Sequence, residues 1–312
     1  MATKKTILVT GGAGFIGSNL VDKLVKEGLR TVIIDNLLTG NSKNLNLASE
    51  FYNIDICDEE VSNVFEKEKP EIVFHCAAQI DLRKSVENPA EDAKINILGS
   101  LNILENCRKY GIEKVIFAST GGAIYGDASI IPATEDCFEY PLSPYGIDKL
   151  AVEKYLNYYY KIFGLPFVSL RFANVYGPRQ NSKGEAGVVA IFCDKMLSGG
   201  QPIIFGNGEQ TRDFVYAEDV VDALILAMNS KKIGIFNIGS AKETDINDIF
   251  EKIKKITNCD CGEIHIPAKI GEQKRSCLSY LKAKKELGWE PKYNLEKGLE
   301  KTVKWFVDQK LS

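Results

Sequence analysis

The chain has 312 residues, 45% of them hydrophobic, with 39 basic against 42 acidic side chains and a pI near 5.7. That length buries a sizeable core in one large or two coupled domains, and a formal charge of −3 offers no electrostatic footprint for nucleic acid or an anionic membrane, which leaves a small molecule as the expected partner. No apolar run reaches membrane-spanning length and the start of the chain passes directly into a strand, so a cytoplasmic location is expected; eight scattered cysteines with only His75 and His265 as imidazoles predict reduced thiols and no metal.

The first element, Thr6-Ile7-Leu8-Val9-Thr10, is a β-branched apolar run that breaks into Gly11-Gly12-Ala13-Gly14-Phe15-Ile16-Gly17. A buried strand feeding a glycine turn and then a helix is the arrangement that lets pyrophosphate approach backbone N–H groups at a helix N-terminus, so a dinucleotide site is predicted here. A second strand, Thr31 to Ile34, ends in Asp35, 18 residues past Gly17, where a carboxylate accepts hydrogen bonds from ribose hydroxyls and repels a 2′-phosphate. That reading predicts NAD rather than NADP, although Asp35-Asn36 also opens an ordinary loop.

The alternation continues with a short strand from Phe51 to Ile54 leading to Asp55, a helix from Glu59 to Lys67, and a strand from Glu71 to His75. A long helix from Pro89 to Tyr110 and a strand from Lys114 to Ala118 follow. Another helix runs from Pro144 to Phe163, with Ser143 as its cap, and then comes a strand from Phe167 to Leu170. Strands alternating with helices of this length predict a parallel, doubly wound α/β sheet. Beyond Arg171 the rhythm loosens. The glycine- and proline-rich stretch from Gly177 to Gly187, and Gly206-Asn207-Gly208, read as a hairpin-like turn, suit a smaller mixed α/β domain. The division expected is a nucleotide-binding domain over 1–173 and a substrate domain over 174–312, with a segment near 214–239 returning to the first.

Chemistry enters at Tyr145 and Lys149, one helical turn apart on one face. An ammonium near the ring, together with an oxidised nicotinamide, is expected to lower the tyrosine pKa toward neutrality and make the phenol a general base. Such a pair occurs by chance in many helices. A third element narrows the reading: the strand ending at Ala118 is followed by Ser119-Thr120-Gly121-Gly122 at the carboxyl edge of the sheet, where a hydroxyl could meet a substrate oxygen.

Taken together, the glycine turn, Asp35, the Ser/Thr at a strand end and Tyr145-x-x-x-Lys149 resemble the extended short-chain dehydrogenase/reductase family. Within it the chain looks like the sugar-nucleotide 4-epimerases of the UDP-glucose 4-epimerase type. The likeness runs through Arg171-Phe172-Ala173-Asn174, Gly206 to Val215 and Phe236-Asn237-Ile238-Gly239. It implies a Rossmann domain, bound NAD, a UDP-sugar substrate and a homodimer built on the two long helices. It places Gly11, Gly14, Phe15, Ile16 and Gly17 on the pyrophosphate, Asp35 and Asn36 near the ribose, and Asp55 and Ile56 by the adenine. Ala77, Ala78, Gln79 and Asn96 complete the cofactor set with Tyr145 and Lys149.

By the same resemblance Thr120, with Ser119 beside it, is the catalytic hydroxyl. Asn174 and Arg212 hold the diphosphate, Ile203 and Phe205 lie near the uracil, and Val188 contributes to the substrate site. The family's Arg-Pro-Gly-Asp/Glu is replaced here by Lys269-Ile270-Gly271-Glu272, so either Lys269 or Arg275 is the second phosphate ligand, and Ser276 leaves room for an N-acetyl group at the sugar C2. The implied activity is C4 epimerisation of UDP-glucose and UDP-galactose, with UDP-GlcNAc beside them. A UDP-glucuronate 4-epimerase using Arg83, Lys84 or Arg179 is the alternative, and a catalytically silent NAD-binding module is the alternative from another class. Gly121 and Gly122 stand where dehydratases and decarboxylases carry an acid.

Overall fold

The computed structural model describes residues 5–183, 187–268 and 273–311. Its first half alternates strand and helix: β1 (Thr6–Thr10), α1 (Phe15–Lys26), β2 (Arg30–Ile34), β3 (Glu50–Tyr52), α2 (Val61–Glu68) and β4 (Ile72–His75). Next come α3 (Leu82–Glu87), α4 (Pro89–Ala93), α5 (Gly99–Lys109), β5 (Lys114–Thr120), α6 (Gly121–Ile124), α7 (Pro144–Phe163) and β6 (Phe167–Phe172). The helix expected from Pro89 to Tyr110 is interrupted. Residues Lys94–Leu98 form one π turn between α4 and α5, a local widening that lets Asn96 turn inward.

Every pairing in the seven-stranded sheet is parallel, in the order β10-β6-β5-β4-β1-β2-β3, where β10 is Gly234–Ile238. The order reverses between β1 and β4, and in such sheets the crevice outside the strand ends at that reversal is where a ligand lies. The strands read as continuous apolar runs because both faces are covered. One layer packs Leu20, Leu24, Val220 and Leu224 against Val9 and Ile33; the other packs Phe65, Ile103, Val152 and Leu156 against Leu8, Val73 and Val115.

The second half contains β7 (Asn174–Tyr176), α8 (Val188–Leu197), β8 (Ile204–Phe205), β9 (Thr211–Tyr216) and α9 (Ala217–Asn229), then β10 and β11 (Glu243–Asp245). It ends with α10 (Ile246–Thr257), β12 (His265–Ile266), β13 (Arg275–Ser276), α11 (Leu281–Leu287) and α12 (Leu295–Leu311). A small sheet is centred on β9, which pairs antiparallel with β11 and parallel with β13 and β7. A separate core of Phe192, Phe250, Ile253, Leu299 and Phe306 lies under it. Gly206-Asn207-Gly208 is not a hairpin: β8 before it pairs with β12, and β9 after it belongs to the other sheet. The positive φ of both glycines bends the chain from one sheet to the next instead.

A buried charge cluster fastens α7 to the large sheet. Arg171 on β6 has no exposed surface; its Nη2 lies 2.6 Å from Glu153 Oε2, its Nη1 donates to Tyr125 Oη at 2.8 Å, and Glu139 takes a further bond. Glu153 on α7 also accepts from Ser119 at 2.7 Å and Ser169 at 2.8 Å, so β5, β6 and α7 meet at one carboxylate. Arg171→Met strands a buried carboxylate, and the expected loss is about 3–5 kcal/mol of unfolding free energy, read as a lowered denaturant midpoint.

Candidate active site

The glycine turn is built for close approach. Gly11 has φ +71°, and a Cβ on it would sit 2.7 Å from Ala77 N; on Gly17 a Cβ would sit 2.1 Å from Gly11 O. Only hydrogen at these two positions lets the turn lie against the segment after β4 and α1 pack against the turn. Gly14 caps α1 with no side-chain bond, and the first turn, with Phe15 and Ile16, carries no acid, so N–H groups there are open to an anion. Asp35, at the end of β2 and 8% exposed, is clamped by Ala13 N–H at 2.9 Å and Leu37 N–H at 2.8 Å, each oxygen retaining acceptor capacity. The donor set and the glycine cradle fit a dinucleotide with free ribose hydroxyls.

Asn36 donates to Asp55 at 2.7 Å, and Asp55 accepts from Cys57 N–H at 2.8 Å. Burial would raise that carboxyl, but these hydrogen bonds outweigh it and hold it below the usual range. Ile56 beside it is buried, with 5% exposure. On the other side of β1, His75 is 2.7 Å from Thr10 Oγ1 and 2.8 Å from Ser100 Oγ. Burial, with the Lys149 charge adding to it, pushes its pKa down to about 3, so the imidazole is a neutral bracket. Ala77 N–H donates to Thr10 Oγ1, and Ala78 leads on to Gln79. Asn96 occupies both ends of its amide on the Gln79 main chain, at 2.9 and 3.0 Å, and so straps this loop from the π turn.

At the carboxyl end of β5, alternation along the strand separates the two hydroxyls. Ser119 points into the Glu153 cluster and is 4% exposed, whereas Thr120 faces Tyr145 closely enough to favour its phenolate. The structure therefore brings Thr120, and not Ser119, to the tyrosine. Ser143 caps α7 by accepting from Gly146 N–H, and Pro144 occupies its first turn, which sets Tyr145 at the sheet edge.

Lys149, 3% exposed, lies 5.9 Å from the Tyr145 ring centroid and donates to Ala118 O at 2.9 Å. Burial pushes its pKa down to about 8 against the pull of Cys76, Glu153, Asp92 and Asp148. Tyr145 is not acidified by the polypeptide. Burial raises it, the Asp92 charge raises it further, and only the nearby Thr120 hydroxyl works the other way. The expected lowering of the phenol drew on Lys149 and an oxidised nicotinamide together; Lys149 by itself, at this distance and with its ammonium on a carbonyl, does not offset burial.

Asn174 opens β7 across from this edge. A Cβ built on Gly122 would stand 3.5 Å from Asn174 Oδ1 and 3.9 Å from Thr120 Oγ1, so Gly122 borders the same space, without a carboxylate. Arg212 on β9 pairs in register with Ser276 on β13, which is 5% exposed, and donates to Thr211 O at 2.8 Å. Val188 is the first residue of α8 and half-buried. Ile203 and Phe205 flank buried Ile204 and so share the opposite, accessible face of that strand. Arg275 is engaged by Glu243 through Nε at 2.9 Å and through Nη2. Arg179 is engaged by Asp22 at 2.6 Å. Lys269 and Glu272 lie outside the described residues. Asp92, Asp148 and Glu153 were not singled out from the sequence. The one available signal was their spacing: Asp148 lies between Tyr145 and Lys149, and Glu153 is one turn beyond the lysine.

Residues 7–239 match the model of the NAD dependent epimerase/dehydratase family, and the chain belongs to that family. It is an enzyme of the extended short-chain dehydrogenase/reductase fold whose cofactor is NAD. It is 48% identical over 299 residues to a putative UDP-glucose 4-epimerase of Methanocaldococcus jannaschii, covering 96% of this chain and 97% of that one. A UDP-glucose 4-epimerase of Thermotoga maritima, solved with UDP-glucose, superposes with TM-score 0.96 at 49% identity, over 98% of this chain and 100% of the other. The Thermus thermophilus UDP-glucose 4-epimerase complex with NAD superposes with TM-score 0.93 at 41% identity, over 97% and 99%. Among the described residues no helix is long and apolar enough to cross a membrane.

Gly17→Ala forces a methyl group into the Gly11 carbonyl. The expected result is NAD affinity lowered at least about tenfold with the circular dichroism spectrum retained, read as cofactor carried through gel filtration.

Proposed function

We propose that the chain interconverts the C4 epimers of a UDP-hexose, with Tyr145 as the acid–base group. The observation that carries this is the contact of Thr120 with Tyr145 at the carboxyl edge of β5, one helical turn from buried Lys149 and beyond the glycine turn. Bound NAD supplies the two-electron acceptor and donor for the sugar C4 and, when oxidised, a positive charge beside the phenol. Tyr145 takes the proton from the 4-hydroxyl and later returns it, while the Thr120 hydroxyl orients the same oxygen. Lys149, its ammonium on Ala118 O and 5.9 Å from the tyrosine ring centroid, would hold the nicotinamide ribose with its remaining donors. Asn174 and Arg212 hold the diphosphate, which lets the oxidised hexose turn over between the two transfers and present its other face. Arginine suits that role because its planar fork meets phosphate oxygens in two directions.

Ser276 is small and lies next to Arg212 in register, which supports acceptance of an N-acetylated hexose beside UDP-glucose. For the uronate reading, Arg179 gives its Nη2 to Asp22 and keeps a buried Nη1 without a partner among the described residues, so the assay on UDP-glucuronate decides it. For the second phosphate contact Arg275 would have to leave Glu243, so Lys269 is the better assignment.

Leu82, Val86, Ile147, Tyr158 and Ile162 on α3 and α7, with Leu98 between α4 and α5, leave large apolar surfaces in solvent, from 41% to 64% exposed. Such a face along α7, continued by α3 and the π turn, suits a homodimer in which the same elements meet. Tyr145→Phe should lower turnover of UDP-galactose by roughly 10²–10⁴-fold while the fold is kept, measured with product separation over UDP-glucose, UDP-GlcNAc and UDP-glucuronate; undiminished turnover excludes the assignment. Light scattering at micromolar concentration is expected to return twice the chain mass, and Ile147→Glu to shift it toward the monomer.

A further inference from the structure

Two carboxylates beside Tyr145 and Lys149 have no part in the mechanism above. Asp148 lies between them on α7, and Asp92 comes from α4, which packs against α7. Both are sealed from solvent, at 4% and 2% exposure. Asp92 Oδ1 accepts a 2.6 Å hydrogen bond from Gln79 Nε2, but Asp92 Oδ2 and Asp148 Oδ2 are buried with no donor among the described residues. The two carboxyls are near neighbours across the α4–α7 contact, close enough for Asp92 to raise Asp148, yet neither orphaned oxygen has a donor facing it.

Ionised carboxylates only accept, so two of them cannot satisfy one another, and two like charges out of water repel. One proton between them resolves both difficulties: it makes one group a donor, satisfies both orphaned oxygens and leaves a single charge. We propose that Asp92 and Asp148 share one proton, and that this acid–carboxylate pair is a positioning device that fixes α4 against α7 and sets how readily Tyr145 ionises.

The surroundings define what the pair acts on. From α7 it meets Tyr145 and Lys149, with Glu153 one turn beyond the lysine, and from the segment after β4 it meets Gln79, while Cys76 faces Lys149. The packed elements carry Arg83, Lys84 and Glu87 on α3, and Glu91 and Lys94, which face each other at 3.8 Å. On α5, Glu105 and Arg108 are paired at 2.7 Å. Burial first, and then Asp92, push the Asp148 carboxyl up to about 7, against the Lys149 charge.

The sign follows from these charges. Below that pH the pair carries one negative charge; above it a second appears close to Tyr145, where the Asp92 charge already opposes phenolate formation. Rising pH therefore favours loss of the phenol proton in bulk and opposes it locally, and the rising limb of the rate is displaced to higher pH. In Asp148→Asn the amide donates to Asp92 at every pH, and the second charge cannot form.

The kinetic arm of the test rests on the proposed epimerase reading; the spectroscopic arm does not. In the holoenzyme at neutral pH, infrared spectroscopy is expected to show a protonated-carboxyl stretch that Asp148→Asn abolishes. With the accepted UDP-hexose, Asp148→Asn and Asp92→Asn should each move the rising limb of kcat to lower pH by about one pH unit, with KM changed less than about twofold. A merely structural pair would lower kcat at all pH values without moving the limb. Absence of the carboxyl band overturns the shared proton, and an unmoved limb in both variants overturns the effect on Tyr145. Should Asp148→Asn not fold, Asp92→Asn supplies both readouts. A band that responds to the variants in a protein inactive on every UDP-sugar upholds the pair and refutes the epimerase reading.

Discussion

The site depends on the ion pair between Arg171 and Glu153. Neither side chain has access to water, so each charge is tolerable only while the other stays in place. Because Arg171 stands on β6, Glu153 on α7 and Ser119 on β5, the condition that keeps these charges paired also fixes α7, with Tyr145 and Lys149, against the strand end that carries Thr120. The cluster extends through Tyr125 to Asn237 on β10, so the last strand to join the sheet is tied to the same centre. A helix held only by apolar packing could slide by part of a turn. One held by a buried carboxylate with serine, arginine and main-chain constraints on several sides cannot do so without leaving a charge unpaired.

The second constraint is directional. Parallel strands all end at one edge, and the reversal of strand order between β1 and β4 opens a crevice there. The glycine turn, Asp35, the loop after β4, Thr120 and the start of β7 therefore converge although they are far apart in sequence. Burial then shapes the electrostatics of what converges. It raises Tyr145 and lowers Lys149, moving each away from its charged form. In such surroundings a charge brought by a ligand acts with far less screening than it would in water. The polypeptide by itself keeps the Tyr145 phenol protonated, and a positive charge placed beside it would act with little screening.

How much was legible varied with the kind of signal. The strands around Leu8, Ile33, Val73, Ile116 and Val168 announce themselves because apolar residues buried on both faces form unbroken runs, and the glycine turn follows from steric exclusion that spacing alone expresses. The helix from Pro89 to Tyr110 looked continuous because periodicity does not register one π turn; Asn96 enters the interior through hydrogen bonds with Gln79, a partner 17 positions earlier. Gly206-Asn207-Gly208 carried turn chemistry without saying which strands it would join. Ser119 and Thr120 were equivalent as letters. Strand alternation and the position of Glu153 separate them.

The sequence by itself determined the alternation of strands and helices, the dinucleotide turn and the one-turn spacing of Tyr145 and Lys149, since each of these depends on neighbours within a few residues. The tertiary structure decided the charges. Whether a tyrosine is acidified, which hydroxyl reaches it and whether two aspartates meet depend on burial and on groups brought from α4, β5 and β6. Coulomb and desolvation energies are set by distances through space, and those distances exist only once the chain has folded.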